Sequence, residues 1–232
     1  AKNLAKKLWE FFVYPNPEAA VVERIAKVFV LGDIRATMRA IARSPEFLSD
    51  KAVRKMVKSP VDLCIPIARQ MGAGKEMAEI RKPTATPFDR IEKKTLDVAG
   101  ALSWIMQQQG LSLLYPPDVG GWKWNEAWAT PDAMAHRFLY RGVLLWGEKG
   151  PDTGAKTIHG YLSSRQPKDG AAIAEAFLRL FDVPLDEERK AIVAKLWNDN
   201  GGVKALEKLE TVVWLTDRTL GLMMASPESQ LF

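Results

Sequence analysis

Apolar residues recur along this chain at the three- and four-residue spacing that is typical of amphipathic helices. The first stretch, residues 3–13, places Leu4, Leu8 and Phe11 on one side, with lysines between them. No convincing alternation of apolar and polar residues and no Asn-Gly hairpin signal favours a sheet. The pattern therefore predicts an all-α protein, with roughly nine helices in one globular helical domain.

A repeated start signal supports this prediction. An oxygen-bearing side chain precedes a proline, and a carboxylate usually follows within the first helical turn. The signal occurs at Asn16-Pro17-Glu18, Ser44-Pro45-Glu46, Ser59-Pro60-Val61-Asp62, Thr86-Pro87-Phe88-Asp89, Thr130-Pro131-Asp132 and Ser226-Pro227-Glu228. Asp33 is a further expected cap. We expect most of these prolines to begin helices rather than to interrupt them.

Irregular segments separate the helices. Residues 72–87 and 147–154 combine glycine, proline and charge, and we expect them to be exposed connections, the first of them mobile. The segment from Tyr115 to Trp128 is different, because it holds two prolines, two glycines and three tryptophans. We expect residues 1–146 to form a helical core that includes this ordered loop, and residues 147–232 to add C-terminal helices on the same core.

Composition narrows the class of protein. With 47% apolar residues the chain can build a sizeable core, and it has no apolar run long enough to span a bilayer. The single cysteine, Cys64, excludes an internal disulfide, and its apolar neighbours favour a buried, inert thiol. The net charge of +5 is spread along the chain, which makes nucleic acid an unlikely partner.

One basic group is locally dense. Lys51, Arg54, Lys55 and Lys58 have the spacing of one helix face. Such a face is usually only solvated. The alternative is that it docks an acidic polymer or an acidic partner.

Several motifs together resemble a known bacterial family. They are Lys7-Leu8-Trp9 with Phe11-Phe12, Ser44-Pro45-Glu46-Phe47, Lys58-Ser59-Pro60, Tyr115-Pro116-Pro117-Asp118-Val119-Gly120-Gly121-Trp122, Trp128 and Arg137. This order is similar to the C-terminal half of DUF1800, a family of unknown function. The likeness covers about residues 3–146, and the segment 226–230 resembles the usual end of the family. The loop departs from the family pattern at Lys123-Trp124-Asn125.

The resemblance implies a helix-rich, exported protein, located in the periplasm or secreted. It suggests a sulfatase-like partner protein, since family members are often encoded beside one, but it implies no catalytic mechanism. The chain begins without methionine or a signal-peptide pattern, so we expect a mature or excised fragment that lacks the N-terminal half of the family.

The tryptophans of the loop are the first candidate binding residues. Trp122, Trp124 and Trp128 either pack the loop onto the helices or form an aromatic platform for a sugar ring or a partner side chain. Trp124 is expected to be the exposed one, because polar residues, among them Asn125, surround it. Trp122 is expected to pack closely, since it follows two glycines.

Charged residues near the loop are the second group of candidates. Asp118, Glu126 and Asp132 could supply a carboxylate pair for glycosidic chemistry, although Asp132 also suits a helix start. His136 and Arg137 could form a polar wall beside the loop or simply part of the surface.

Other chemistry has weaker support. His136 and His159 are too few for a histidine-rich metal site, and Ser163 and Ser164 lack a nucleophile elbow. We predict no catalytic residue, metal or cofactor. The sequence therefore favours a binding or scaffold module that contacts a partner protein or a polysaccharide through the loop. The alternative is an enzyme, or a subunit of one, that acts on polysaccharide with Asp118 or Glu126 as its acid.

Overall fold

The computed structural model describes residues 1–29, 32–73, 93–145 and 152–232. Eleven α-helices lie within these ranges, together with 3₁₀ helices at Asn125–Trp128 and Gly202–Glu207. The α-helices are α1 Lys2–Phe12, α2 Ala19–Val28, α3 Ile34–Ala42, α4 Pro60–Gln70, α5 Lys93–Gln108, α6 Pro131–Leu145, α7 Asp152–Ser164, α8 Gly170–Phe181, α9 Glu187–Asp199, α10 Leu209–Met224 and α11 Pro227–Gln230. The described ranges contain no β-strand, so the all-α prediction is confirmed.

The chain forms two compact units. The first contains Ala1–Val57 with Leu231–Phe232, and the second contains Lys58–Gln230. The boundary predicted between residues 146 and 147 lies outside the described residues and stays a prediction. The connections predicted at residues 72–87 and 147–154 also lie mostly outside the described residues. Of the first, only Gly72 and Ala73 are described, and of the second only residues 152–154.

The first unit packs α1, α2 and α3 around one aromatic pair. Trp9 is fully buried, and the ring of Tyr14 meets it edge-on with centroids 5.5 Å apart. Val21, Ile25 and Ile41 complete this core from the two other helices. In α2 the spacing of the apolar positions buries one side of the helix, as predicted. In α1 the buried residues are Ala5 and Trp9, and the predicted place of Phe11 on the apolar side is wrong, because its side chain is 62% exposed.

Most of the predicted helix starts are confirmed. Asp33 accepts from the Ala36 backbone N–H at 2.9 Å, and Ser59 forms a capping box with Asp62. The hydroxyl of Thr130 accepts from the Ala133 backbone N–H, and α6 and α11 both begin at a proline. The signal at Thr86-Pro87 lies outside the described residues.

Two starts are wrong. Asn16 does not cap α2; it takes a left-handed conformation with φ 54°, and Glu18 is the residue that precedes the helix. Ser44-Pro45-Glu46 begins a series of turns instead of a helix. Phe47 and Ala52 pack against the core of the first unit from these turns, whereas Leu48 and Val53 are exposed.

The basic face predicted at residues 51–58 is therefore also wrong. Residues 51–54 are turns, and Arg54 has φ 52°, which a right-handed helix cannot include. Lys58 lies beyond this turn, in the extended segment before α4. The four cations consequently do not share one helix face.

The second unit buries its apolar residues in two clusters. The larger contains Phe177, Phe181 and Trp197, whose indole N–H donates to the Thr219 hydroxyl at 3.0 Å. The smaller surrounds Cys64, which is fully buried as predicted. Burial raises the pKa of the Cys64 thiol to about 11, so the thiolate needed for reactivity is disfavoured.

Helix length and composition bear on membrane insertion. Among the helices in the described ranges, none combines the length and the apolar character that crossing a bilayer requires.

Candidate functional site

The loop begins where α5 ends at a glycine. Gly110 has φ 90°, its N–H donates to the Gln107 carbonyl at 2.8 Å, and the Leu111 N–H donates to the Met106 carbonyl at 3.0 Å. These two bonds form a Schellman motif, which requires the left-handed conformation that glycine adopts at no steric cost. Gly110 thus ends the helix and sets the direction in which the chain leaves α5.

Turns close the N-terminal part of the loop. Asp118 accepts twice, through its carboxylate from the Gly120 N–H at 2.6 Å and through its carbonyl from the Gly121 N–H at 3.1 Å. The Trp122 indole N–H then donates to the Ser112 carbonyl at 3.3 Å. Internal hydrogen bonds therefore hold the segment 112–122 in a closed turn.

The three tryptophans lie in different environments. Trp128 is buried, with 3% of its surface exposed, whereas Trp122 and Trp124 are 41% and 44% exposed. The expected exposure of Trp124 is confirmed, but the expected close packing of Trp122 is wrong. Gly121 has φ 89° and serves the turn, so the glycines do not provide a surface on which the Trp122 indole packs.

Sequence reasoning missed the aliphatic part of the loop. Leu114 and Tyr115 are 91% and 81% exposed, Val119 is fully exposed, and Leu113 is about half exposed. The available signal was a cluster of leucines directly after the helix-terminating Gly110. We define the loop surface as Leu113, Leu114, Tyr115, Val119, Trp122 and Trp124.

The carboxylates predicted near the loop are exposed and serve local structure. Asp118 holds its own turn, and Glu126 lies in the 3₁₀ helix that ends at Trp128. Asp132 lies in the first turn of α6, and His136 contacts its carbonyl through Nδ1 at 2.9 Å.

Asn125 is buried instead of exposed. It has φ 49°, a left-handed conformation that asparagine tolerates better than most residues, and it begins the 3₁₀ helix. Its position fits a structural role in turning the chain between Trp124 and Trp128.

Arg137 does not share an exposed face with His136, so the predicted polar wall is wrong. The Arg137 side chain is fully buried, while His136 is partly exposed. Successive helical residues point about 100° apart, which separates the two side chains. Arg137 donates through Nη1 to Gln230 Oε1 at 3.0 Å and through Nη2 to the Lys58 carbonyl at 2.6 Å. Burial lowers its pKa, and no carboxylate pairs with it among the described residues.

Two hollows in the described part of the chain are lined by residues outside the loop. The first unit has an open surface depression, the second has a cavity of about 40 Å³, and no loop residue lines either. Within the described part of the chain, no group of three or more His, Cys, Asp or Glu side chains could hold a metal ion. Among the described residues, the accessible feature of the loop is its surface of exposed apolar and aromatic side chains.

No curated protein and no solved structure matches this chain. A family model described as a protein of unknown function, DUF1800, matches residues 1–231. This match covers essentially the whole chain, which therefore belongs to the DUF1800 family.

Proposed function

We propose that this chain is a binding module whose loop surface docks a partner protein. The observation that carries the proposal is the exposure of six large apolar and aromatic residues within twelve positions of the chain. Scattered exposed apolar residues are ordinary, but a concentrated group marks an interaction surface.

The composition of the loop surface supports a protein as the partner. Trp122, Trp124 and Tyr115 are of the types that contribute most to protein interfaces. Leu114 and Val119 add aliphatic area, which packs against apolar side chains and offers no flat face for a sugar ring. A polysaccharide remains the alternative ligand, and it would use Trp122 and Trp124 alone.

The internal hydrogen bonds of the loop favour docking. Because Asp118 and Trp122 already close the turn, binding orders few additional backbone groups. The hydrogen bond from the Gly120 N–H to the Asp118 carboxylate also supports a structural role for Asp118, which the alternative enzyme would use as its acid.

The family resemblance extends the proposal to location and partner. We infer a protein outside the cytoplasm that contacts a sulfatase-like protein. Fractionation of cells that produce the natural protein tests the location, and recovery in the cytosolic fraction would contradict it.

A binding experiment tests the docking surface. The sulfatase-like protein encoded beside the natural gene is titrated with wild type, Leu114→Asp, Val119→Asp and the control Leu48→Asp. Leu48 is also exposed, but it belongs to the first unit, whereas the loop belongs to the second. We expect both loop variants to weaken binding about tenfold or more and Leu48→Asp to have no effect.

Two outcomes would overturn the protein-docking proposal. One is that all four proteins bind the partner with equal affinity, or that no complex forms. The other is that Trp122→Ala and Trp124→Ala abolish retention on insoluble polysaccharide while both aspartate variants bind the partner normally.

A further inference from the structure

Two adjacent prolines of the loop are exposed beside the loop surface. Pro116 and Pro117 lie between Tyr115 and Val119 in the sequence, and all four side chains are exposed. A proline that only stiffens a loop can pack its ring against a neighbouring helix. These two rings are accessible to solvent instead, so a binding partner can reach them.

The backbone around the two prolines is extended. A proline ring fixes its own φ at about −65°, and it restricts the preceding residue to the extended region. Tyr115 precedes Pro116, and Pro116 precedes Pro117, so both are restricted in this way. Pro116 therefore has the fixed φ and the extended ψ that define the polyproline II conformation, and Tyr115 continues the extended chain on its N-terminal side.

Turns on both sides fix this short segment. On the N-terminal side the Tyr115 N–H donates to the Ser112 carbonyl at 3.0 Å, and Leu114 takes a left-handed conformation with φ 62°. On the C-terminal side the Asp118 carboxylate accepts from the Gly120 N–H at 2.6 Å. The segment is therefore already ordered, and a partner that binds it has little backbone entropy to remove.

The segment offers hydrogen-bond acceptors almost exclusively. The two prolines have no N–H, and the N–H of Tyr115 is already bonded to Ser112. The carbonyls of Tyr115, Pro116 and Pro117 accept no hydrogen bond from any residue that the structure describes. A partner that covers this backbone therefore has to bring donors of its own.

These properties select one mode of peptide recognition. Addition of the segment to a sheet as a β-strand requires backbone N–H groups, which both prolines lack. Recognition as a helix in a groove does not apply, because residues 113–120 form no helix. Polyproline II recognition matches all the observations, since it uses exposed proline rings, a preformed extended backbone and free carbonyls.

We propose that residues 115–117 dock in a groove of the partner protein that is lined by aromatic side chains. The rings of Pro116 and Pro117 pack between aromatic rings of the groove, and the carbonyls accept from its indole N–H or phenol O–H groups. This inference rests on the proposed function, because it specifies the chemistry of the partner that the loop surface meets.

The first test compares proline variants in binding to the neighbouring sulfatase-like protein. Pro116→Ala and Pro117→Ala each lose a ring contact and the fixed φ of proline, so we expect binding to weaken about fivefold or more. Pro184→Ala is the matched control, because Pro184 is an exposed proline outside the helices of the same unit. It should bind as wild type does.

The second test detects the aromatic groove with the wild-type chain. The chain is labelled with ¹³C-proline, and the spectra of the three variants assign the signals of the three prolines. Protons that lie over an aromatic ring are shifted upfield by its ring current. We expect the ring protons of Pro116 and Pro117 to move upfield when the partner is added, and those of Pro184 to stay in place.

Two sets of results distinguish this inference from the proposed function. The groove is wrong, and the docking surface stands, if Leu114→Asp weakens the complex but both loop proline variants bind like Pro184→Ala. The same holds if neither loop proline shows an upfield shift in the complex. If no complex forms, or if Leu114→Asp and Val119→Asp bind like wild type, the proposed function fails and the groove fails with it.

Discussion

A buried hydrogen bond of 3.0 Å joins Arg137 Nη1 to Gln230 Oε1, across 93 positions of the chain. Through Nη2 the same guanidinium also reaches the Lys58 carbonyl. Gln230 in turn donates to the Met224 carbonyl at 2.8 Å. One buried side chain thus connects the beginning, the middle and the end of the second unit.

We expect Arg137→Ala to destabilise the protein by about 2–4 kcal/mol. The substitution leaves Gln230 Oε1 and the Lys58 carbonyl without their donors and creates a cavity. Urea unfolding followed by circular dichroism measures the change. Arg218→Ala is the control, since Arg218 is exposed over Trp214, and it should stay within about 0.5 kcal/mol. An equal, small effect of both variants would contradict the structural role of Arg137.

The tryptophans of the loop should differ in their contribution to stability. Trp128→Ala should cost about 3–5 kcal/mol because the indole is buried. Trp122→Ala should cost about 1 kcal/mol through its single hydrogen bond, and Trp124→Ala about 0.5 kcal/mol or less. Thermal unfolding of the three variants beside wild type measures the order. A large loss of stability for Trp124→Ala would remove it from the proposed docking surface.

Cys64 should make stability fall at high pH. The pKa of the folded-state thiol is about 11, against 9.0 for a free one, so between these values the unfolded chain ionises first. The stability that the protonated thiol gives to the folded state is fully present below about pH 9. About 2–3 kcal/mol of it is lost as pH rises towards about 11.

The measurement is urea unfolding of wild type and Cys64→Ala at a pH below 9 and at one near 11. The variant lacks the thiol and should lose less stability between the two conditions. This difference separates the ionisation of the thiol from that of Tyr14, whose pKa is raised by burial to about 12. Parallel losses in both proteins would show that Cys64 does not cause the effect.

The capping box of α4 provides a prediction about local structure. Ser59→Ala removes the acceptor of the Asp62 N–H and should cost about 1 kcal/mol. Ser163→Ala, at an exposed position within α7, should leave stability nearly unchanged. Chemical denaturation measures the stability of the two variants. Equal stability of both would contradict the role of Ser59 as a cap.

The sequence predicted helices well where a cap and an apolar face agreed. Ser59-Pro60 precedes the buried residues Leu63 and Cys64, so capping chemistry and burial select the same start. Ser44-Pro45 carries the same chemistry but is followed by Leu48, which stays exposed. A cap satisfies a few backbone groups, but tertiary burial decides whether a helix forms there.

The loop surface was only partly predictable. Tryptophan, proline and the leucines after Gly110 marked the segment. These residue types do not tell which side chains are exposed, because irregular backbone has no period that separates inside from outside. The prediction for Arg137 was wrong in the opposite direction, because a side chain expected at the surface is buried. Charged side chains are rarely fully buried, so its acceptors, one of them a backbone carbonyl, cannot be recognised before the fold is known.

The isolated bridge between Val57 and Leu231 has a consequence for biosynthesis. Arg54 donates to the Leu231 carbonyl across 177 positions, and Met56 pairs through its backbone with Phe232. Translation proceeds from the N-terminus, so α1 to α3 leave the ribosome long before these partners are synthesised. The first unit therefore begins as an incomplete nascent domain, and its last backbone contacts form only after residues 58–230 have been translated.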